Sequence, residues 1–369
     1  MSVIKSCHQS CLRILSALFI LSISALIATG QEDTTKVKKK DPGKPKKHLT
    51  LFEKDDILDV ILEIDLVKFQ KKQDRNQKFD GLITIPVSAT DTLDRKVTIK
   101  YRGESRYERC SFPPMRLKFK KPIYEISDSG KIKTMKLVNQ CSRGSNYEEY
   151  VIRECLVYKM YNVLTDTSYR VRLIRINFVD NQGKRKPFTQ YGIFMEPKEL
   201  LASRTNTLVV NTDALTQRNI FPDMMDRIAI FNYMVSNWDW SVPGQHNVTI
   251  LKTNQFSLPG LGIPVPFDFD LTGVVNADYA IPSPDMGIET NRDRVFAGIC
   301  RSEEVYKKDL MMFLDKKEEL YSVVNDYPYL STGSKRDIIA FLDQFFRRLE
   351  NQRNLDNLVD LFLRNCKKL

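Results

Sequence analysis

Histidine is scarce in this chain: three in 369 residues. His8 sits near the start and His48 in a lysine-rich stretch, which leaves His246 alone in the part expected to fold. Zinc hydrolases built on several imidazole ligands are therefore excluded. Any Ser-His-Asp machinery would rest on that single residue. Long apolar runs are scarce too. After Ala28 no stretch approaches the roughly 20 residues a membrane-spanning helix needs. The seven cysteines show neither zinc-finger nor redox-motif spacing, so no thiolate metal site is expected.

The apolar run that does occur lies at the N-terminus. Lys5 and Arg13 precede Ile14 to Ala28, and small residues Ala28-Thr29-Gly30 follow before Gln31. This reads as a cleavable secretory signal over residues 1–30, with an uncleaved anchor as the alternative. The exported chain, in periplasm or at the cell surface, then meets an oxidising compartment where disulfides persist. Cys110, Cys141, Cys155, Cys300 and Cys366 remain, so one thiol is unpaired within the chain. Cys155 lies beside the apolar stripe of a predicted helix and is the expected buried thiol. Of the three pairings open to the other four, Cys110–Cys141 with Cys300–Cys366 is the one suggested.

Net charge is +11, or +9 without Lys5 and Arg13. Seven lysines against three acids between Gln31 and His48 contribute +4, so residues 31–50 read as a solvated tether. The remaining +5 is modest, and no specific nucleic-acid partner is implied. Hydrophobic content of 42% is enough for a sizeable core. The expected organisation is a β-rich lobe over 51–200 and a mixed, then helical, lobe over 201–369.

Strands are expected at Ile57–Leu66, Leu82–Ile85, Lys96–Tyr101, Met115–Lys120 and Met135–Val138, with a polar loop at Lys68–Lys78. Tyr169–Val179 and Phe188–Met195 flank an Asp180-to-Gly183 turn as a hairpin. Helices are expected at Glu148–Leu164, from Pro222 to Ser236, over Glu303–Asp326 as one amphipathic stretch, and over Leu355–Leu363. Another begins at a Ser334/Asp337 capping box. The order is α+β.

The chemistry concentrates between Asn232 and Gly273. Asp268 and Asp270 are two apart; on a strand both carboxylates share one face while Phe267 and Phe269 take the other. Carboxylates so placed repel unless a proton or cation lies between them. A hard ion such as Mg²⁺ takes one or two carboxylates and substrate phosphates. Asn247 adds a carboxamide oxygen, and Asp239 is suited to orient a hydroxyl. The plain alternative is two aspartates capping a strand end and a turn. On the Met115–Lys120 strand, Arg116, Lys118 and Lys120 share the face opposite Met115, Leu117 and Phe119. Such a row suits phosphate, and equally an ordinary solvated face.

In order, the Phe112-to-Phe119 strand, Glu154, Tyr191-to-Glu196, Asn237-x-Asp239, Asn247 and Asp268-x-Asp270 resemble the secreted spore-coat-protein-H (CotH) type of kinase. The Phe-Asp-Phe-Asp and His-Asn patterns are also similar to a set of uncharacterised exported bacterial proteins. The resemblance spans roughly Lys96 to Gly273. It implies a protein-kinase-like two-lobe fold and an exported transferase using ATP with Mg²⁺ or Mn²⁺ on a protein or other hydroxyl-bearing substrate. It implies Asp239 as the catalytic residue and Asn247, Asp268 and Asp270 as metal ligands. Arg116 or Lys118, with Glu154 and Glu196, would line the nucleotide side. In two places the chain departs from those kinases: Trp240 stands where they carry arginine, and no glycine-rich phosphate loop is present. Two other readings compete. One is a non-catalytic coat or binding protein; the other is a glycosyltransferase using Asp268-x-Asp270, which lacks the early parallel nucleotide-binding unit.

Overall fold

A computed structural model describes residues 51–368, apart from 73, 89–90, 127–129, 211–214 and 254–260. The expected signal and tether, residues 1–50, lie outside the described residues. Period-two patterning organises the first half. Strands β1 (Leu58–Ile64), β2 (Lys78–Ser88), β3 (Asp91–Tyr101) and β4 (Met115–Phe119) pair in sequence, each antiparallel to the next. A small hairpin of β5 (Tyr124–Ile126) and β6 (Gly130–Ile132) leads to β7 (Thr134–Asn139), which pairs with β4. The expected hairpin is present as β8 (Val171–Asp180) and β9 (Phe188–Met195). β9 pairs with β7, and β8 runs parallel to β1 from Leu58↔Ile174 to Ile64↔Asp180.

That last pairing closes a seven-stranded barrel in the order β1-β2-β3-β4-β7-β9-β8. Closure removes the unpaired strand edges an open sheet exposes. It also overturns the two-lobe kinase-like architecture: the β-rich segment is a closed barrel, and the described residues from 51 onward belong to one unit. The physical reason is the parallel β1–β8 contact, which joins segments more than 100 residues apart and leaves no signature in local periodicity.

Inward residues such as Leu62, Ile83, Ile99, Leu117, Leu137, Ile176 and Phe194 fill the barrel and are fully buried. The outward residues of β7, β8 and β9, among them Val138, Leu173 and Ile193, belong to a second core built with the helices. Helix α1 (Leu66–Lys71), capped by Asp65 accepting from the Lys68 amide at 2.9 Å, replaces part of the expected polar loop. The short α2 (Ser105–Arg109) follows β3. Helix α3 (Ser145–Leu164) is buried on nearly every side, not on one stripe, because the barrel wall packs on one flank and the later helices on the other.

Helix α4 (Lys198–Arg204) leads to a three-stranded sheet of β10 (Thr207–Val209), β11 (Val248–Thr253) and β12 (Gly262–Pro266), with α5 (Pro222–Met234) between its first two strands. Helices α6 (Glu303–Asp315), α7 (Lys317–Asn325), α8 (Thr332–Leu349) and α9 (Gln352–Asn365) complete the chain. The expected single stretch over Glu303–Asp326 is thus two helices, broken at Lys316. The cap of α8 is Ser331, which accepts from the Ser334 amide at 3.1 Å. Asp337 serves Arg153 (2.7 Å) and Arg292 (2.6 Å) instead of a cap.

The structure contains Cys110–Cys141 and Cys300–Cys366 disulfides, and Cys155 is buried as a thiol, as expected. Cys300–Cys366 joins the segment before α6 to the end of α9 across 66 residues. Closing a loop of that length in the unfolded chain is worth about 4 kcal/mol. Replacing both cysteines by serine is expected to lower the free energy of urea unfolding by about that amount; a loss below about 1 kcal/mol would show that the crosslink does not act through the unfolded state.

Candidate functional site

Helix α5 ends at Met234, and the chain turns sharply through Ser236, whose φ is +55°. Its Oγ lies 2.9 and 2.8 Å from the carbonyls of Asn291 and Asp293. Asn237 then holds the next turn. It donates from Nδ2 to Asn232 Oδ1 (3.0 Å), and its Oδ1 accepts from the Asp239 amide (3.1 Å). A tight turn tied by reciprocal Ser241 and His246 main-chain bonds brings the chain back. Two further left-handed residues, Gln245 and Asn247, shape that return.

Asp239 is consequently held by its neighbours. Asn247 Nδ2 donates to Asp239 Oδ2 (2.9 Å) and to its carbonyl (2.8 Å). His246 Nε2 lies 2.7 Å from Asp239 Oδ1. A carboxylate only accepts, so the proton sits on Nε2 of His246 and the amide of Asn247 faces Asp239 through nitrogen. Its Oδ1 is thereby turned the other way.

The Asp268-x-Asp270 segment is not on a strand, contrary to expectation. Strand β12 stops at Pro266, and Asp268 adopts a left-handed φ of +66°. Its amide donates to Tyr158 Oη at 2.8 Å, while Phe269 is buried with its ring centroid 4.8 Å from Tyr158 and 5.8 Å from Phe231. The bend about Asp268, anchored by Phe269, directs both carboxylates to one cavity. Strand alternation plays no part.

That cavity holds about 660 Å³. Asp239, Asn247, Asp268 and Asp270 are among its lining residues, as are Trp238 and His246. Arg102, Arg106, Arg116 and Lys136 line it too. Arg102 follows β3 and Arg106 lies in α2, with Gly103 between them at a φ of +74° that a side chain would resist. Arg102 NH2 lies 3.8 Å from Asp268. Buried Arg106 places NH1 3.6 Å from Asp270 and 3.8 Å from Glu154, and donates from NH2 to the Asn139 carbonyl at 2.7 Å. Its Nε and NH1, and Oε1 of Glu154, make no hydrogen bond.

One guanidinium thus faces two buried carboxylates. Burial pushes the Asp270 carboxyl up to about 6; Arg106 opposes that shift, and Asp268 and Asp239 add to it. Glu154 is raised by burial and by Asp270, against the pull of Arg106. Burial lowers the Lys136 ammonium to about 7, with Arg102 contributing, and its Nζ lies 3.8 Å above the Phe267 ring. The acidic side is short of positive charge.

These donors fit a hard divalent cation. Asp268, Asp270 and Asn247 offer side-chain oxygens, and a cation would relieve the repulsion that helps raise the Asp270 carboxyl. Among the described residues no three Asp, Glu, His or Cys converge on one point. Mg²⁺ and Mn²⁺ accept such a small protein set because phosphate and water complete the shell.

The other expected residues divide. Arg116 lines the cavity, but Lys118 is exposed on the outer face of β4 and does not. Glu154 braces Arg106, not Arg116 or Lys118. Glu196 is taken up by Arg204 at 3.0 Å and by the Arg170 amide, and borders an adjoining recess of about 260 Å³ that shares Arg116 and Lys136 with the main cavity. The sequence marks Arg102 and Arg106 only as members of an arginine-rich segment from Tyr101 to Lys121, and does not single out Lys136. The available signal was a pair of arginines flanking Gly103 just before Cys110. No protein-family model matches the chain, and no curated protein matches it.

The Asp270 shift sets a pH dependence. Its folded value lies above the unfolded value near 4, so the folded state holds the extra proton between about pH 4 and 6. The stability this gives is complete below about pH 4 and is lost as pH rises through about 6. Urea unfolding of Asp270→Asn is expected to lack about 2–3 kcal/mol of the decline the natural protein shows from pH 4 to 7. Parallel curves for the two proteins would refute the assignment.

Proposed function

We propose that the protein is an exported, metal-dependent phosphotransferase acting on a hydroxyl of a protein or other substrate. The observation carrying this reading is that Asp239, Asn247, Asp268 and Asp270 line the same cavity as Arg102, Arg106, Arg116 and Lys136. It rests on the site and not on the architecture, since one chemistry recurs on unrelated folds. The resemblance to the spore-coat-protein-H kinases enters in the same way, through the residues its short motifs supply. Export is supported by the two disulfides. No described helix is long and apolar enough to cross a membrane.

Asp239 accepts the substrate hydroxyl's proton or orients it. His246 and Asn247 occupy defined positions on its carboxylate, so its direction is set before substrate arrives. Asn247 Oδ1, Asp268 and Asp270 are the residues that would hold Mg²⁺ or Mn²⁺. ATP bound with that ion would supply the phosphoryl group and offset its charge. Arg102, Arg116 and Lys136 neutralise phosphate oxygens within the cavity, as preorganised cations do for developing negative charge, while buried Arg106 holds Asp270 and Glu154. The adjoining recess beside Glu196, with Tyr169, Met135 and Pro197 in its wall, offers apolar surface suited to a nucleoside.

Mg²⁺ or Mn²⁺ with ATP is expected to raise the melting temperature, and the Asp268→Asn/Asp270→Asn protein to show no such rise while remaining folded. Stabilisation by UDP-sugars in place of ATP would favour the glycosyltransferase, and no response to any nucleotide would favour the coat or binding protein. Asp239→Asn should keep the metal-nucleotide stabilisation yet lose on the order of a hundredfold in phosphate incorporation. An undiminished rate would remove Asp239 from the mechanism.

A further inference from the structure

The outer wall of the barrel carries a feature that the catalytic reading leaves unused. Strand register sets Lys78 opposite Lys100, Lys100 opposite Arg116, and Arg116 opposite Lys136. Four basic side chains thus stand in one row across β2, β3, β4 and β7. At about 4.8 Å between strands the row runs roughly 14 Å. Lys78, Lys100 and Arg116 are exposed, and none is paired with a carboxylate among the described residues. Like charges placed directly opposite one another destabilise a sheet, so this row works against the barrel that carries it.

The neighbouring row differs. There Asp80 accepts from Thr98 Oγ1 at 3.2 Å, and Lys118 faces Thr98 and Thr134. The unrelieved row is the one whose inner end, Arg116 and Lys136, lines the catalytic cavity.

We propose that this row docks an acidic polypeptide segment and leads its serine or threonine hydroxyl toward Asp239. The inference rests on the phosphotransferase reading for the fate of the hydroxyl; the docking itself rests on charge. Single-stranded nucleic acid is disfavoured as the occupant, because base stacking needs exposed aromatic rings. The outward residues of β2, β3 and β4 include none: Phe79, Tyr101 and Phe119 all point into the barrel. A polypeptide needs only carboxylates spaced to meet the cations, and its affinity falls with salt as exposed charge pairs are screened.

The test uses fluorescence anisotropy of a labelled peptide of alternating Glu and Gly residues around one Ser, against the same peptide with Gln for Glu. A single-stranded DNA of equal length and phosphatidylserine vesicles complete the set. The expected result is preferential, salt-sensitive binding of the acidic peptide, weakened at least about tenfold in the Lys78→Glu/Lys100→Glu protein. Lys78 and Lys100 lie outside the cavity lining, so that protein should keep the full stabilisation by Mg²⁺ and ATP. Equal binding of acidic and neutral peptides, a preference for DNA or vesicles, or indifference to the two substitutions would overturn the proposal. Loss of the ATP response in the natural protein would instead count against the catalytic reading, and peptide binding would still be measurable.

Discussion

The buried cluster of Arg106, Glu154 and Asp270 is the constraint on which the rest of the site depends. Three segments far apart in sequence meet there: the turn after β3, the middle of α3, and the loop after β12. Removing an ion from water is expensive, and a buried charge left alone costs about 3–5 kcal/mol. Each member therefore holds the others in place. Arg106 also donates to Asn139 at the end of β7, next to Gln140 and the Cys141 end of a disulfide whose other half follows α2. The turn carrying Arg102 and Arg106 is tied down by an ion pair, a hydrogen bond and a covalent link.

The same cluster is unbalanced by one charge, and this gives the cavity its chemistry. Two buried carboxylates share a single guanidinium, and Asp268 and Asp239 lie close enough to raise Asp270 further. A site so arranged holds a proton more tightly than a free carboxylate does. Backbone strain is concentrated there as well. Of the seven non-glycine residues with positive φ among the described residues, four (Ser236, Gln245, Asn247 and Asp268) lie in the two loops that bring the aspartates to the cavity. Such conformations persist only where surrounding packing imposes them. Buried Phe269 and Val235 and the Ser236 bonds to the 291–293 segment supply that packing.

Much of the local structure was legible because it follows from local rules. Alternation in Met-Arg-Leu-Lys-Phe puts Met115, Leu117 and Phe119 inside, and turn residues between two β-rich runs announce the β8–β9 hairpin. With Cys155 taken as the buried helical thiol, the two suggested disulfides, one of three possible pairings of the other four cysteines, are the ones that form. The same rules failed where a long-range contact or an unusual backbone angle decides. Asp268 was read on a strand because aromatic alternation looks the same whether or not the chain bends at a left-handed residue. Lys118 and Arg116 were indistinguishable by period, since both face outward; only the pairing of β4 with β7 sets Arg116 at the cavity and Lys118 beyond it.

By itself, the sequence determined which residue types were available for chemistry: oxygen donors in two short loops, arginines around a glycine turn, and no histidine set for zinc. It also determined the alternation of the strands and the buried thiol, because both depend on neighbours along the chain. Tertiary structure decided the closed barrel, the choice of Arg106 as partner of Glu154, and the meeting of both loops at one cavity. These depend on the parallel β1–β8 contact and on the cost of burying unpaired charge, which arise only when distant segments are packed together.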